Sequence, residues 1–172
     1  MRRRQIAMLA GCTMALMALG GQTANAVDTI VTFTVTSGAL TVTAPPGPVS
    51  LGSATAGNTV SGPLGTVTVT DARGGTPTSD WVARVSSTSF VGPADTIPSA
   101  NATYTPQSGT VVVGNGTLAA GTAGTLAAQR ISMSYTGGTG NSQATWSPVL
   151  TVAIPLMAGL GTYTGTVTHS VS

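Results

Sequence analysis

From Asp28 onward, apolar and polar residues alternate one by one along much of the chain. Val31, Phe33 and Val35 alternate with Thr32, Thr34 and Thr36, and Leu40 and Val42 with Thr41 and Thr43. Val67 and Val69 alternate with Thr66, Thr68 and Thr70; Trp81, Ala83 and Val85 stand opposite Val82, Arg84 and Ser86. Further on, Ile131, Met133 and Tyr135 alternate with Arg130, Ser132 and Ser134, and Leu150, Val152 and Ile154 with Thr151 and Ala153. The last such run sets Tyr163, Gly165, Val167, His169 and Val171 against Thr162, Thr164, Thr166, Thr168 and Ser170. A period of two puts each set on its own face of a strand. Tyr104 and Val111–Val113 mark weaker strands. Ser37-Gly38, the proline run at 45–48 and the loop Asp71–Asp80, with Gly74, Gly75 and Pro77, separate the runs. The one Ala-rich stretch, Ala119–Ala128, is broken by Gly121 and Gly124, so no helical period is sustained. About eight or nine short strands with frequent turns predict an all-β fold, a single antiparallel β-sandwich of immunoglobulin-like type. Its Thr-rich outer face suits a sheet with one side in water.

The first 26 residues follow another rule. Arg2, Arg3 and Arg4 precede an apolar run from Ile6 to Gly20, and Ala24-x-Ala26 has the small residues of a cleavage site. This is the pattern of a secretory signal peptide. Its apolar run falls short of the about 20 residues that span a bilayer. Two domains of sequence follow: a signal peptide at 1–26 and a β-sandwich domain at 27–172. Leu9-Ala10-Gly11-Cys12 also matches a lipoprotein box, which ranks below simple secretion because apolar sequence continues past Cys12. The arginine run lacks the rest of a twin-arginine motif. The secreted protein is expected to begin at Val27. N-terminal sequencing checks this, and lipid-bearing material starting at Cys12 would contradict it.

Removing the leader reverses the charge. The whole chain carries six basic and four acidic residues, formally +2. Three of the six are the leader arginines. Residues 27–172 keep Arg73, Arg84 and Arg130 against Asp28, Asp71, Asp80 and Asp95, one net negative charge, with no Lys or Glu. Such a surface cannot neutralise phosphates, so nucleic acid is not an expected partner. No Cys follows Cys12, so an oxidising compartment offers no disulfide and stability must come from the core. A chain of this length buries roughly two-thirds of its unfolded surface, enough for one domain. Low net charge with abundant Val, Leu and Ile argues against disorder.

Catalytic raw material is scarce. One His, no Glu and no Lys leave few acid–base or nucleophilic arrangements, and no Gly-x-Ser-x-Gly elbow occurs. The usual zinc sets and calcium loops are not spelled out either. The expectation is a non-enzyme with no metal or cofactor. His169, on the apolar face of a terminal strand, reads as a packing residue with one ring nitrogen hydrogen-bonded. Trp81 shares its face with Ala83 and Val85 and reads as core, its N–H satisfied locally. Trp146 has the same core default, but it precedes Pro148 at a strand start, which makes exposure as a platform for sugar stacking more plausible there. Arg73 is close enough in sequence to reach Asp71 or Asp80 and tie down the loop between them. The triplets Asn101-x-Thr103 and Asn115-x-Thr117 are expected by chance in Thr-rich sequence.

Thr68-Val69-Thr70-Asp71-Ala72-Arg73-Gly74, then Asp80-Trp81-Val82-Ala83-Arg84-Val85-Ser86 and Phe90, resembles the proximal motif of WxL-type bacterial cell-surface domains. There a strand ends in Asp-x-Arg, a loop follows, and a Trp opens the next strand. Gly161–Val171 resembles the last strand of that family. Ala83 stands for the Leu of the proximal Trp-x-Leu, and His169-x-Val171 for the distal pair. The resemblance implies an exported surface protein attached non-covalently to peptidoglycan. The resulting expectation is a secreted, envelope-associated, non-catalytic β-sandwich that binds cell-wall polysaccharide or peptidoglycan, or other surface proteins in adhesion. The chain ends after a strand with no sorting motif, so attachment is expected to be non-covalent. The alternative is a structural subunit, pilin-like or coat-like, joined through sheet edges, with Val31–Val35 as a donated strand.

Overall fold

The computed structural model describes residues 28–74 and 78–172. The expected leader and cleavage site lie outside the described residues, as do Gly75 and Pro77 of the loop. The chain divides into two compact units, Met1–Thr34 and Val35–Ser172. Of the first, residues 28–34 are described: they are exposed and form neither helix nor strand.

The second unit is all-β and antiparallel. Its strands are β1 (Leu40–Thr43), β2 (Thr59–Pro63), β3 (Val67–Asp71), β4 (Trp81–Ser87), β5 (Phe90–Val91), β6 (Thr96–Ile97) and β7 (Ala102–Thr105). They continue as β8 (Gly109–Val113), β9 (Thr117–Ala120), β10 (Gly124–Thr125), β11 (Arg130–Thr136), β12 (Ser142–Trp146), β13 (Val149–Ala153) and β14 (Val167–Val171). A short 3-10 turn, Ser99–Asn101, precedes β7.

Three four-stranded sheets have the orders β1-β3-β12-β8, β2-β13-β7-β10 and β14-β4-β11-β9. The first two run on from each other. β2 continues into β3, β7 into β8 and β12 into β13, across links of two or three residues. The links hold Gly65 at φ +87, Pro106 and Pro148. Proline donates no ladder bond and glycine accepts the left-handed turn, so each long strand bends here. Across the bend, the Leu64 N–H still donates to the Pro148 carbonyl at 2.9 Å. Together these two sheets form one bent layer, and the β14-β4-β11-β9 sheet forms the other.

Strict alternation builds the core between them. Val67, Val69 and Asp71 of β3, Trp81, Ala83 and Val85 of β4, and Ser142, Ala144 and Trp146 of β12 all turn inward. One apolar cluster joins Val67, Val69, Ala144 and Trp146 to Trp81, Ala83, Met133 and Tyr135. A second, under the other half of the bent layer, joins Ala102, Tyr104, Leu150 and Val152 to Val85, Phe90, Ile97 and Leu126.

Two expected strands are corrected. Residues 31–36 form no strand despite their pattern: alternation makes a strand only where a neighbour supplies the other half of the ladder. The last strand begins at Val167, not at Thr162, and before it Thr164 makes only an isolated bridge to Val91. Gly165 interrupts the run, where the backbone passes close against the Phe90 ring.

Candidate functional site

Trp81 is 1 % exposed, its ring stacked on Tyr135 at 5.5 Å between centroids, and its Nε1–H donates to Ser142 Oγ at 3.2 Å. Core placement and a local acceptor both match the sequence reading.

The loop before it is tied down at its base. Buried Asp71 accepts from the Arg73 backbone N–H at 3.0 Å, from its Nε at 2.9 Å and from its Nη2 at 2.8 Å. Arg73 Nη2 also donates to the Asp80 backbone carbonyl at 3.1 Å. Asp71 is therefore the ion-pair partner, while Asp80 turns its carboxylate to the Gly137 N–H at 2.8 Å. The Arg73 hydrogen bond holds the Asp71 carboxyl below its ordinary value, against the opposing effect of burial. Asp71→Asn should cost about 1–3 kcal/mol and speed limited proteolysis within 72–80. Unchanged cleavage there would mean that the pair does not hold the loop.

Trp146 takes the core reading and not the exposed one. It is 2 % exposed and donates its Nε1–H to Tyr104 Oη at 3.2 Å. It ends β12 on the same inward parity as Ala144 and Ser142, and Pro148 marks the bend rather than a strand start. No Trp is left as a sugar-stacking platform.

Tyr104 is the hub of a buried polar cluster. Its hydroxyl lies 2.7 Å from Ser132 Oγ and 3.0 Å from His169 Nε2. Ser132 faces inward because β11 bulges between Ile131 and Met133, so that Ser132 and Met133 are both buried. His169 packs edge-on to Trp146 at 6.4 Å, and its Nδ1 is buried without a hydrogen-bond partner. A phenol has two acceptor positions and one proton. Trp146 donates to Tyr104, and the arrangement that buries no orphan N–H has Tyr104 also accept a His169 Nε2–H and donate to Ser132. The His169 Nδ1 is then a bare acceptor, cheaper to bury than an orphan N–H. Protonating it would create that orphan and a buried charge, and burial pushes His169 down to about 4. Ser, Tyr and His do meet, with Ser132 sealed from solvent, Tyr104 and Trp146 nearly so and His169 half-buried, and the cluster links β7, β11, β12 and β14 across the two layers.

Other polar groups are equally committed. Tyr163 donates its hydroxyl to the Asp95 carboxylate, which also accepts the Gly159 N–H at 3.0 Å. This pair braces the loop that carries exposed Leu156, Met157 and Leu160. A shallow open depression beside Arg130 is lined by Ala120, Gly121, Gln129 and Ser134, and Arg130 there donates to the Thr122 carbonyl. Among the described residues, no three His, Cys, Asp or Glu side chains gather as a metal site. No helix among them is long and apolar enough to cross a membrane.

The outer face of the bent layer is open to solvent, half-buried along its central strands and exposed at its edges. Thr43, Thr68, Thr145 and Thr110 stand side by side across β1, β3, β12 and β8. The next row is Thr41, Thr70 and Gln143, with Gln143 Nε2 donating to Thr70 Oγ1 at 3.2 Å. Past the bend, Ser61, Thr151, Thr103 and Thr125 form a third row across β2, β13, β7 and β10. Neighbours in a row are about 4.8 Å apart, and successive rows within one sheet about 6.7 Å. In these eight strands the single charged residue is Asp71, which points inward.

Comparison with family models, with curated proteins and with solved structures finds no match to this chain.

Proposed function

We propose that this chain is an exported, non-catalytic, envelope-associated module that holds cell-wall polysaccharide non-covalently through the outer face of its bent layer. The observation that carries this is the uncharged array of Thr and Ser rows across eight strands. A polyhydroxyl polymer offers donors and acceptors at repeated spacings. Each contact is weak in water, and a repeated array gains by engaging many at once. With both Trp side chains in the core, recognition rests on hydrogen bonding rather than on stacking.

The WxL resemblance supports the same reading. Its two stretches are neighbours in the fold: β14 pairs with β4, Val171 opposite Ala83 and His169 opposite Val85. The Asp-x-Arg of the proximal stretch is a bidentate pair at the foot of the loop that leads to Trp81. The leader supports export.

The test is cosedimentation of residues 27–172 with isolated bacterial cell walls, with soluble wall polysaccharide as competitor. A saturable, competed bound fraction is expected. Protein that stays in the supernatant over the full range of wall concentration would overturn the proposal.

A further inference from the structure

Two parts of this chain have the chemistry of a strand pair and are not paired with each other's kind. The first is Thr29–Thr36, Thr-Ile-Val-Thr-Phe-Thr-Val-Thr. Ile30, Val31, Phe33 and Val35 are 91, 79, 86 and 84 % exposed. A run of β-branched and aromatic residues with no charge and no proline is a strand lacking its partner. The second is the edge strand β8, Gly-Thr-Val-Val-Val, which pairs with β12 on one side and with no other strand among the described residues. Val112 and Val113 beside that edge are 55 and 51 % exposed.

Sheet edges are ordinarily guarded by charge, proline or a bulge. Of the other edges, β2 holds Gly62 and Pro63, β10 is two residues long, and β14 has no exposed large apolar residue. β1 and β9 show no exposed large apolar residue. β8 has a bulge at Val112 as its guard, with no charge and no proline.

We infer that Thr29–Thr36 of one copy adds as a strand to the β8 edge of a second copy. The donor is long enough to cover the edge: eight residues reach about 26 Å as a strand, and the five of β8 about 17 Å. Signal cleavage after Ala26 would leave the donor at the very start of the mature chain. Donor and acceptor are different surfaces, so the contact is heterologous and each copy keeps one of each, which builds open chains of copies. A single strand and three or four apolar side chains must offset the lost freedom of two molecules. The joint is therefore weak, with association expected on the order of 10–100 μM. The inference does not rest on wall binding, and its test contains no wall material.

Sedimentation velocity of residues 27–172 over a concentration series reads it directly, alongside the variants Phe33→Lys and Val112→Lys. The unsubstituted chain should form a ladder of species that grows with concentration. Each variant should associate about tenfold more weakly or less. A mixture of the two should recover dimers and stop there, because Phe33→Lys keeps an intact edge and Val112→Lys an intact donor. A labelled peptide of residues 28–37 should bind Phe33→Lys, whose melting checks that the acceptor is folded. A chain that stays monomeric throughout, an undiminished ladder in Phe33→Lys, or a peptide that fails to bind folded Phe33→Lys would each overturn the inference.

Discussion

Replacing Trp81 with Ala is expected to cost about 3–5 kcal/mol, a large part of a margin on the order of 5–15 kcal/mol. Three losses coincide at this side chain. The indole fills the centre of the first apolar cluster between Val67, Val69, Met133 and Tyr135. Its stacking on Tyr135 goes, and Tyr135 is itself fully buried. Ser142 Oγ, also buried, loses its donor. The strand that Trp81 opens is paired on both sides, by β11 and by β14, so the cavity cannot close by moving an edge. Trp81→Phe separates these causes: it keeps an aromatic face on Tyr135 and drops the hydrogen bond, and should cost about 1–3 kcal/mol. Denaturant and thermal melts check both values. An alanine variant that melts like the parent would contradict the core assignment.

The second large effect is acid sensitivity centred on His169. Its ordinary value is 6.5, and in the fold burial lowers it to about 4. Between those values the unfolded chain takes up a proton that the native chain refuses. Stability is therefore complete above pH 6.5 and falls as the pH drops toward 4. The loss below that point amounts to about 3 kcal/mol. Asp71 acts at lower pH. Its carboxyl is held below 3.8 by Arg73, so its contribution is present above that pH and disappears as the pH falls through the depressed value. His169→Gln should remove the slope between pH 6.5 and 4 and leave the loss at lower pH. Urea midpoints at half-unit intervals of pH read this, and a slope unchanged by the substitution would place the titrating group elsewhere.

The parts of this fold legible in the sequence are those where local pattern and burial agree. β3, β4 and β13 have apolar residues at strict alternation, and each lies within a sheet with a partner on both sides. Trp81 and the Asp71–Arg73 pair followed from neighbours a few residues away. β12 stayed hidden because its inward residues are Ser142 and Ala144, too small and polar to announce a core face. Pro148 suggests a strand start at Trp146, which in the fold ends β12 on its inward side. The inward turn of Ser132 depends on one extra residue in β11, and a one-residue bulge reverses the parity of everything beside it. The long strands bend at 64–66, 106–108 and 147–148, which multiplied the strand count beyond the pattern. At 31–36 the pattern is that of a strand and the partner is missing, because pairing is a property of two segments and alternation describes only one.

The outer rows of Thr and Ser are the surface on which the proposed function stands, and charge placed in their midst is the most direct probe. Thr68 and Thr145 face each other at the centre of the first row, away from the Tyr104–Ser132–His169 cluster. The decisive measurement is the wall-bound fraction of Thr68→Lys/Thr145→Lys beside that of His169→Gln, both near neutral pH and both with melting curves in hand. The predicted result is loss of most wall binding in the double lysine variant while it stays folded, and parental binding in His169→Gln. Parental binding by the folded lysine variant would contradict the outer face of the bent layer as the site of attachment.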